Sequence, residues 1–193
     1  RDLAIVERWS LNPADSYRVA YEVTLENLGD EPVVIDDLAV TLGGMTREKA
    51  GSAKLSRVGR VDLGVELALE EDDRPESLSA DDVDELAPDE RAEWRSQSLL
   101  WAAIHNKYFL FYLSLPGSRF TGADLRAATL PVGTEAAGDG DGDDEEQRLY
   151  GALYVSPVTV EPGESQTLVF DGYSGPKEYR RLKEVRNGLV AVM

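Results

Sequence analysis

Apolar and polar residues alternate with a period of two over much of this chain, the pattern of strands that bury one face. The clearest run is Tyr17 to Glu26, where Tyr17, Val19, Tyr21, Val23 and Leu25 share one face and Arg18, Ala20, Glu22, Thr24 and Glu26 share the other. Ile5 to Leu11, Val33 to Leu42, Asp124 to Leu130, Gly151 to Val160 and Ser165 to Tyr173 read as further strands. Within Lys54 to Leu69, the residues Val61, Leu63, Val65, Leu67 and Leu69 fall on one face. Turn chemistry separates these runs. Asn12-Pro13 ends the first, Asn27-Leu28-Gly29-Asp30 follows the second, and Gly43-Gly44 is expected to break the third. Glu161-Pro162-Gly163-Glu164 reads as a hairpin turn, and Gly175-Pro176 stops the last strand.

The most apolar and aromatic stretch is Leu99 to Pro116, L-L-W-A-A-I-H-N-K-Y-F-L-F-Y-L-S-L-P. A membrane span needs about 20 predominantly apolar residues and tolerates a central lysine poorly. The stretch is therefore expected in the core of a β protein, entered at Trp101 and continued through Tyr108 to Leu115, with His105-Asn106-Lys107 marking a bend, a strand end or a loop.

Two regions change to helical signals. Ser79 with Asp82 three residues on forms a helix start, and Pro88 opens a second turn that runs to Trp94. From Lys177 the period becomes helical, with Tyr179, Leu182, Val185 and Leu189 on one face among Arg180, Arg181, Lys183, Glu184 and Arg186. A basic amphipathic helix suits either a membrane surface or packing on the body of the domain. The closing apolar run, Gly188 to Met193, is expected to precede a hydrophobic segment.

Charge sharpens this outline. The 193 residues carry a formal charge of −17. Glu70 to Glu93 holds 12 acidic and 2 basic residues, and Glu135 to Glu146 holds 7 acidic and no basic residues, so these two stretches account for the whole excess. Both read as solvated insertions, and the absence of clustered cations argues against nucleic-acid binding. Asp139, Asp141 and Asp143 alternate like the first ligands of a calcium loop, but Asp144 stands where the loop needs glycine and Tyr150 where it needs glutamate. With no cysteine and His105 as the single histidine, thiolate and two-histidine chemistries are excluded. G-x-S-x-G, HExxH and a phosphate-cradling glycine loop are absent. No catalytic residue, metal or cofactor is expected, and His105 is expected to be structural.

Three stretches together resemble the periplasmic domain of bacterial YidC-type membrane protein insertases. They are Ile5 to Pro32, with E-R-W-S-L and S-Y-R-V-A-Y-E-V-T-L-E-N-L-G-D-E-P; Trp101 to Phe109, similar to a W-x(4)-N-K-Y-F signature through Trp101, Asn106, Lys107, Tyr108 and Phe109; and Phe170 to Leu182, similar to Y-x-G-P-K-x(4)-L through Tyr173, Gly175, Pro176, Lys177 and Leu182. The acidic insertions have no counterpart in that pattern. The resemblance implies a mainly β fold, a β-supersandwich of two antiparallel sheets, with a short helical acidic insertion and a C-terminal amphipathic helix at about 177–190. It implies one periplasmic domain over 1–193, on a protein of the inner membrane, with the helix leading to a membrane span.

Three roles are weighed. The first is a non-catalytic scaffold and interaction domain for the insertion and folding of inner-membrane proteins, alone or with the Sec translocon. Its partners would be the insertase membrane core, Sec subunits, nascent membrane proteins and the membrane surface. Lys177, Tyr179, Arg180, Arg181, Leu182, Lys183, Val185 and Arg186 would couple the domain to membrane and core. The second is a carbohydrate- or small-ligand-binding module like the mutarotases that share this fold, with exposed aromatics such as Trp94 or Tyr173 in a cleft; the single histidine weighs against mutarotase chemistry. The third is chaperoning of substrates in an apolar groove.

Overall fold

The computed structural model of the chain describes residues 2–46, 63–69, 74–131, 145–186 and 189–190. In chain order the elements are β1 (Leu3–Asn12), β2 (Asp15–Asn27), β3 (Val33–Ile35), β4 (Ala39–Thr46), β5 (Leu63–Ala68), β6 (Glu76–Ser79), α1 (Ala80–Glu85), α2 (Pro88–Ser96), β7 (Trp101–Asn106), β8 (Phe109–Ser114), β9 (Gly122–Pro131), β10 (Glu145–Tyr154), β11 (Val158–Val160), β12 (Ser165–Pro176) and α3 (Tyr179–Val185). All the pairings are antiparallel. They build a seven-stranded sheet, β1-β2-β12-β8-β7-β5-β6, a three-stranded sheet, β4-β10-β9, and a two-stranded ribbon, β11-β3. This is the mainly β, sandwich-like architecture that the alternating pattern implies.

The inner face of the large sheet packs on the smaller layer through one core. Tyr21, Val23 and Leu25 of β2, Val65 and Leu67 of β5, Ile104 of β7 and Phe170 of β12 meet Leu42, Leu125, Leu149 and Leu153 from the second sheet. Removing this apolar area from water is the main stabilising term, about 25 cal/mol for each Å² buried. Asn27 staples one corner: its side-chain amide donates to the carbonyls of Glu31 (2.7 Å) and Val160 (2.9 Å), and its Oδ1 accepts from the Gly29 N–H at 3.0 Å.

Several expected boundaries move. Leu99 to Pro116 is two strands, β7 and β8, which pair with each other in the middle of the large sheet. His105 and Asn106 belong to β7 and are buried; Lys107 and Tyr108 make the bend between the strands. Val33 to Leu42 divides into β3 and β4, and Gly43-Gly44 does not end β4. Gly43 sits at φ 88°, and the register slips opposite it, from Gly151↔Gly43 to Ala152↔Thr41, so the glycine makes a bulge in a continuing strand. Gly151 to Val160 divides at Pro157. Glu161 to Glu164 is a turn, closed by the Glu164 N–H to the Glu161 carbonyl at 3.0 Å. It is no hairpin, because β11 pairs with β3 while β12 enters the large sheet. Val61, the Lys54 start of its run and the calcium-loop aspartates lie outside the described residues.

The acidic insertion at 70–93 is helical in its later part. Ser79 caps α1: its Oγ accepts from the Asp82 N–H at 3.1 Å, and the Asp82 carboxylate accepts from the Ser79 N–H at 2.8 Å. The Ser79 hydroxyl, donating to the Asp82 carboxylate at 2.6 Å, and then the Ser79 N–H hold that carboxyl below its ordinary pKa. Arg91 of α2 spans the connection, donating to the carbonyls of Leu86 (3.1 Å), Val83 (2.7 Å) and Leu125 (2.8 Å), which ties both helices to β9. No helix among the described residues is long and apolar enough to cross a membrane.

Candidate functional site

A second apolar cluster lies on the outer face of the large sheet. Trp101 and Ala103 of β7, Leu110 and Tyr112 of β8, Tyr173 of β12 and Ala68 of β5 form it, and Leu182 and Leu189 of the C-terminal segment close it. The rings of Trp101 and Tyr112 lie 5.6 Å apart at 53°, a tilted arrangement favoured by their quadrupoles. A sheet face with solvent on it would carry polar residues here. These strands are instead apolar on both faces because α3 and the residues after it cover them.

The N-K-Y-F and Y-x-G-P-K segments meet at one end of this face. Register pairs Gly175 with Leu110 and Pro176 with Phe109, and the Lys177 N–H donates to the Tyr108 carbonyl at 2.7 Å. Asn106 shapes the bend, its Oδ1 accepting from the N–H groups of Tyr108 (3.0 Å) and Phe109 (2.8 Å). The Tyr173 hydroxyl donates to the Pro176 carbonyl at 2.7 Å, and burial pushes its pKa up to about 12. Gly175 is required by close approach: a Cβ there would stand 2.6 Å from a ring carbon of Tyr17. Lys107, Tyr108 and Phe109 are exposed at the tip, with the Lys107 Nζ 5.1 Å from the Tyr108 ring centre.

Beneath this junction runs a buried polar chain. Lys177 Nζ lies 3.3 Å from His105 Nδ1 and 3.4 Å from the Asn106 carbonyl. His105 Nε2 lies 3.3 Å from Glu66 Oε1, which also accepts from the Ser77 hydroxyl at 2.9 Å. An ammonium group only donates, so Nδ1 must accept and Nε2 must carry the ring proton. The imidazole thus lies between the Lys177 amine on Nδ1 and the Glu66 carboxylate on Nε2. His105 is 1% exposed and Glu66 5%. The Ser77 hydroxyl donates to the Glu66 carboxylate, whereas an activated serine nucleophile gives its proton to the imidazole. What the chain of bonds does is fix Lys177, and with it the exit of the polypeptide from β12 into α3. Glu66 and Ser77 carry no signal in the sequence; strand alternation assigns Glu66 to a solvated face.

α3 is fastened along its length. Arg181 lies 2.8 Å from Glu178 and 3.6 Å from Asp15, with its guanidinium 4.9 Å from the Tyr17 ring centre; the Glu178 hydrogen bond raises its pKa. Arg18 Nη2 donates to the Glu184 carbonyl at 2.9 Å, and Arg186 Nη1 lies 3.4 Å from the Tyr112 hydroxyl. The helix is shorter than the expected span of about 177–190. It covers seven residues, and Arg186 is already extended at φ −162°. Leu182 and Leu189 are buried and Val185 packs beside them, but Tyr179, expected on the same face, is exposed. Arg180 and Lys183 are exposed as well. The aromatics proposed for a ligand cleft make none: Tyr173 is fully buried and Trp94 packs partly against the core.

A search of curated proteins finds no match. Among solved structures, a galactose mutarotase-like protein from Clostridium acetobutylicum is similar at 13% identity and a TM-score of 0.28, over 90% of this chain and 62% of that one. The chain thus spans less than two thirds of that protein, and so slight a likeness bears on neither fold nor function. A protein-family model described as the YidC periplasmic domain matches residues 2–193. The chain belongs to the YidC periplasmic domain family.

Proposed function

We propose that this domain is a non-catalytic interaction scaffold, whose C-terminal segment couples the sandwich to the membrane core of its insertase on the periplasmic side of the inner membrane. One observation carries the reading: the segment after β12 is clamped to the sheet by Leu182 and Leu189, while Tyr179, Arg180 and Lys183 face outward. A helix held on one face and basic on the other transmits position to whatever surface it meets, which a loose linker would not. Basic and aromatic side chains together suit the headgroup region of a bilayer with anionic lipid. Sec translocon subunits and nascent membrane proteins are the further partners of this reading.

Flotation of the 193-residue chain with anionic vesicles tests it. Charge reversal is confined to Arg180 and Lys183, because Arg181 is engaged with Asp15, Glu178 and Tyr17. The double variant Arg180→Glu with Lys183→Glu is expected to abolish flotation. Flotation equal to that of the parent chain would remove the membrane part of the proposal.

A further inference from the structure

β12 runs past the end of one of its two neighbours. It pairs with β2 over residues 165–173, but with β8 only over residues 171–176. Each strand residue turns its N–H and C=O to one side, and the sides alternate along the strand. The Glu164 carbonyl accepts from the Asn27 N–H at 3.0 Å, so even-numbered residues face β2. The Asp171 carbonyl accepts from the Ser114 hydroxyl at 3.4 Å, and the Lys177 N–H donates to the Tyr108 carbonyl at 2.7 Å, so odd-numbered residues face β8. The register with β2 slips nowhere between them. Ser165, Thr167 and Val169 therefore turn their main-chain groups to the side where β8 has already ended at Ser114. No strand among the described residues pairs with them there.

The chain after β8 is turned away from this edge. The Ser118 N–H donates to the Leu115 carbonyl at 3.1 Å across Pro116-Gly117, with Gly117 at φ 77°, as in a type II turn. The divergence leaves a groove of about 400 Å³, lined by residues 166–169 of β12, by Leu115, Pro116 and Ser118, and by residues 155–158. Val169 is 47% exposed in it. None of the lining residues is charged, in a chain where 30% of residues are.

Two properties define what fits. The bare edge offers donors and acceptors at the spacing of a strand, which another extended main chain answers. The uncharged lining gives no counter-charge to a Lys, Arg, Asp or Glu side chain, and burying such a charge unpaired is costly. We infer that this gap is a strand-addition site: an extended, uncharged segment of another polypeptide enters the groove, bonds through its main chain to Thr167 and Val169, and takes the place in the sheet that β8 vacates. The site uses nothing of α3 and goes beyond the membrane-coupling reading.

The test is amide exchange, read by NMR on the isotope-labelled 193-residue chain, with a blocked pentapeptide of alternating valine and threonine as the probe. The peptide is expected to slow exchange at Thr167 and Val169 and to leave Leu168, already bonded to β2, as it was. A fully N-methylated version keeps the side chains but has no N–H to give, and is expected to protect neither amide. Glutamate in place of threonine in the peptide is expected to weaken binding. Val169→Pro removes one groove-facing N–H while sparing the ladder with β2, and is expected to weaken binding about fivefold, the worth of one hydrogen bond. Equal effects of the plain and methylated peptides overturn strand addition, since apolar adsorption then explains both. No response to the plain peptide overturns it as well. Protection of Thr167 and Val169 in the chain alone overturns the foreign occupant. If it is independent of concentration it assigns the edge to another part of the same chain, and if it rises with concentration, to a second copy. Flotation with anionic vesicles is expected to be unchanged in Val169→Pro, and peptide protection unchanged in Arg180→Glu with Lys183→Glu, so failure of either proposal leaves the other standing.

Discussion

The Lys177–His105–Glu66–Ser77 chain makes its sharpest demand on His105, which separates two opposite charges under the β7–β8 bend. His105→Leu leaves the Glu66 carboxylate buried with Ser77 as its remaining hydrogen-bond donor, at a cost of about 3 kcal/mol. Lys177→Met removes a partly buried cation, at a cost of about 1 kcal/mol. Urea unfolding of the two variants, with the slope unchanged, measures both and should keep that order. Tyr173 gives a prediction in pH. Its pKa is 10.0 ordinarily and about 12 in the fold, so the folded state favours the neutral phenol. That contribution is complete below pH 10 and is lost as pH rises toward 12. Tyr21 is also raised, by burial and the neighbouring Glu7, so phenolate absorbance should show more than one late-titrating tyrosine, of which Tyr173→Phe deletes one along with the matching part of the alkaline loss of stability. The sequence singles out His105 as its one histidine but reveals none of its partners. Glu66 lies 39 residues away, and strand alternation reads it as solvated because nothing local reveals that α3 will cover that face.

Elements were legible where local chemistry decides them. The Ser79 and Asp82 signals mark α1, and the alternation of Tyr17 to Glu26 marks β2. Long-range partners decided the rest. Gly43-Gly44 breaks an isolated strand but becomes a bulge when β10 pairs across it. The Glu161 to Glu164 turn is present, yet its flanking strands serve different sheets, which no local pattern states. α3 ends at Val185, earlier than its periodicity suggests. An isolated helix of seven residues is unstable in water, so α3 depends on its docking. Leu182→Ala is accordingly expected to cost about 3 kcal/mol and to loosen the whole segment. Increased binding of a hydrophobic dye, with faster amide exchange across α3, would show the second cluster opening; an unaltered dye signal would mean that the segment contributes little cover.

Across the whole molecule, the strand pattern was enough to identify a sheet-on-sheet protein, and the described part of the first acidic stretch supplies edge strand β6 and helix α1. The order of strands in the large sheet was not legible. β12 lies between β2 and β8, so Glu26 pairs with Ser165 and Tyr173 pairs with both Arg18 and Tyr112. A chain ending at Glu164 therefore lacks the strand that joins β1-β2 to β8-β7-β5-β6. It is expected to lose cooperative unfolding and near-ultraviolet dichroism together. The same placement has a consequence in time. A polypeptide that emerges from its amino end first exposes two half-sheets, each with an open hydrogen-bonding edge, and neither can be joined until residue 176 has arrived. Sheets closed by such distant pairings also form slowly. During that interval the nascent domain is itself an aggregation-prone client that needs shielding, and its maturation is completed by the segment nearest its carboxyl end.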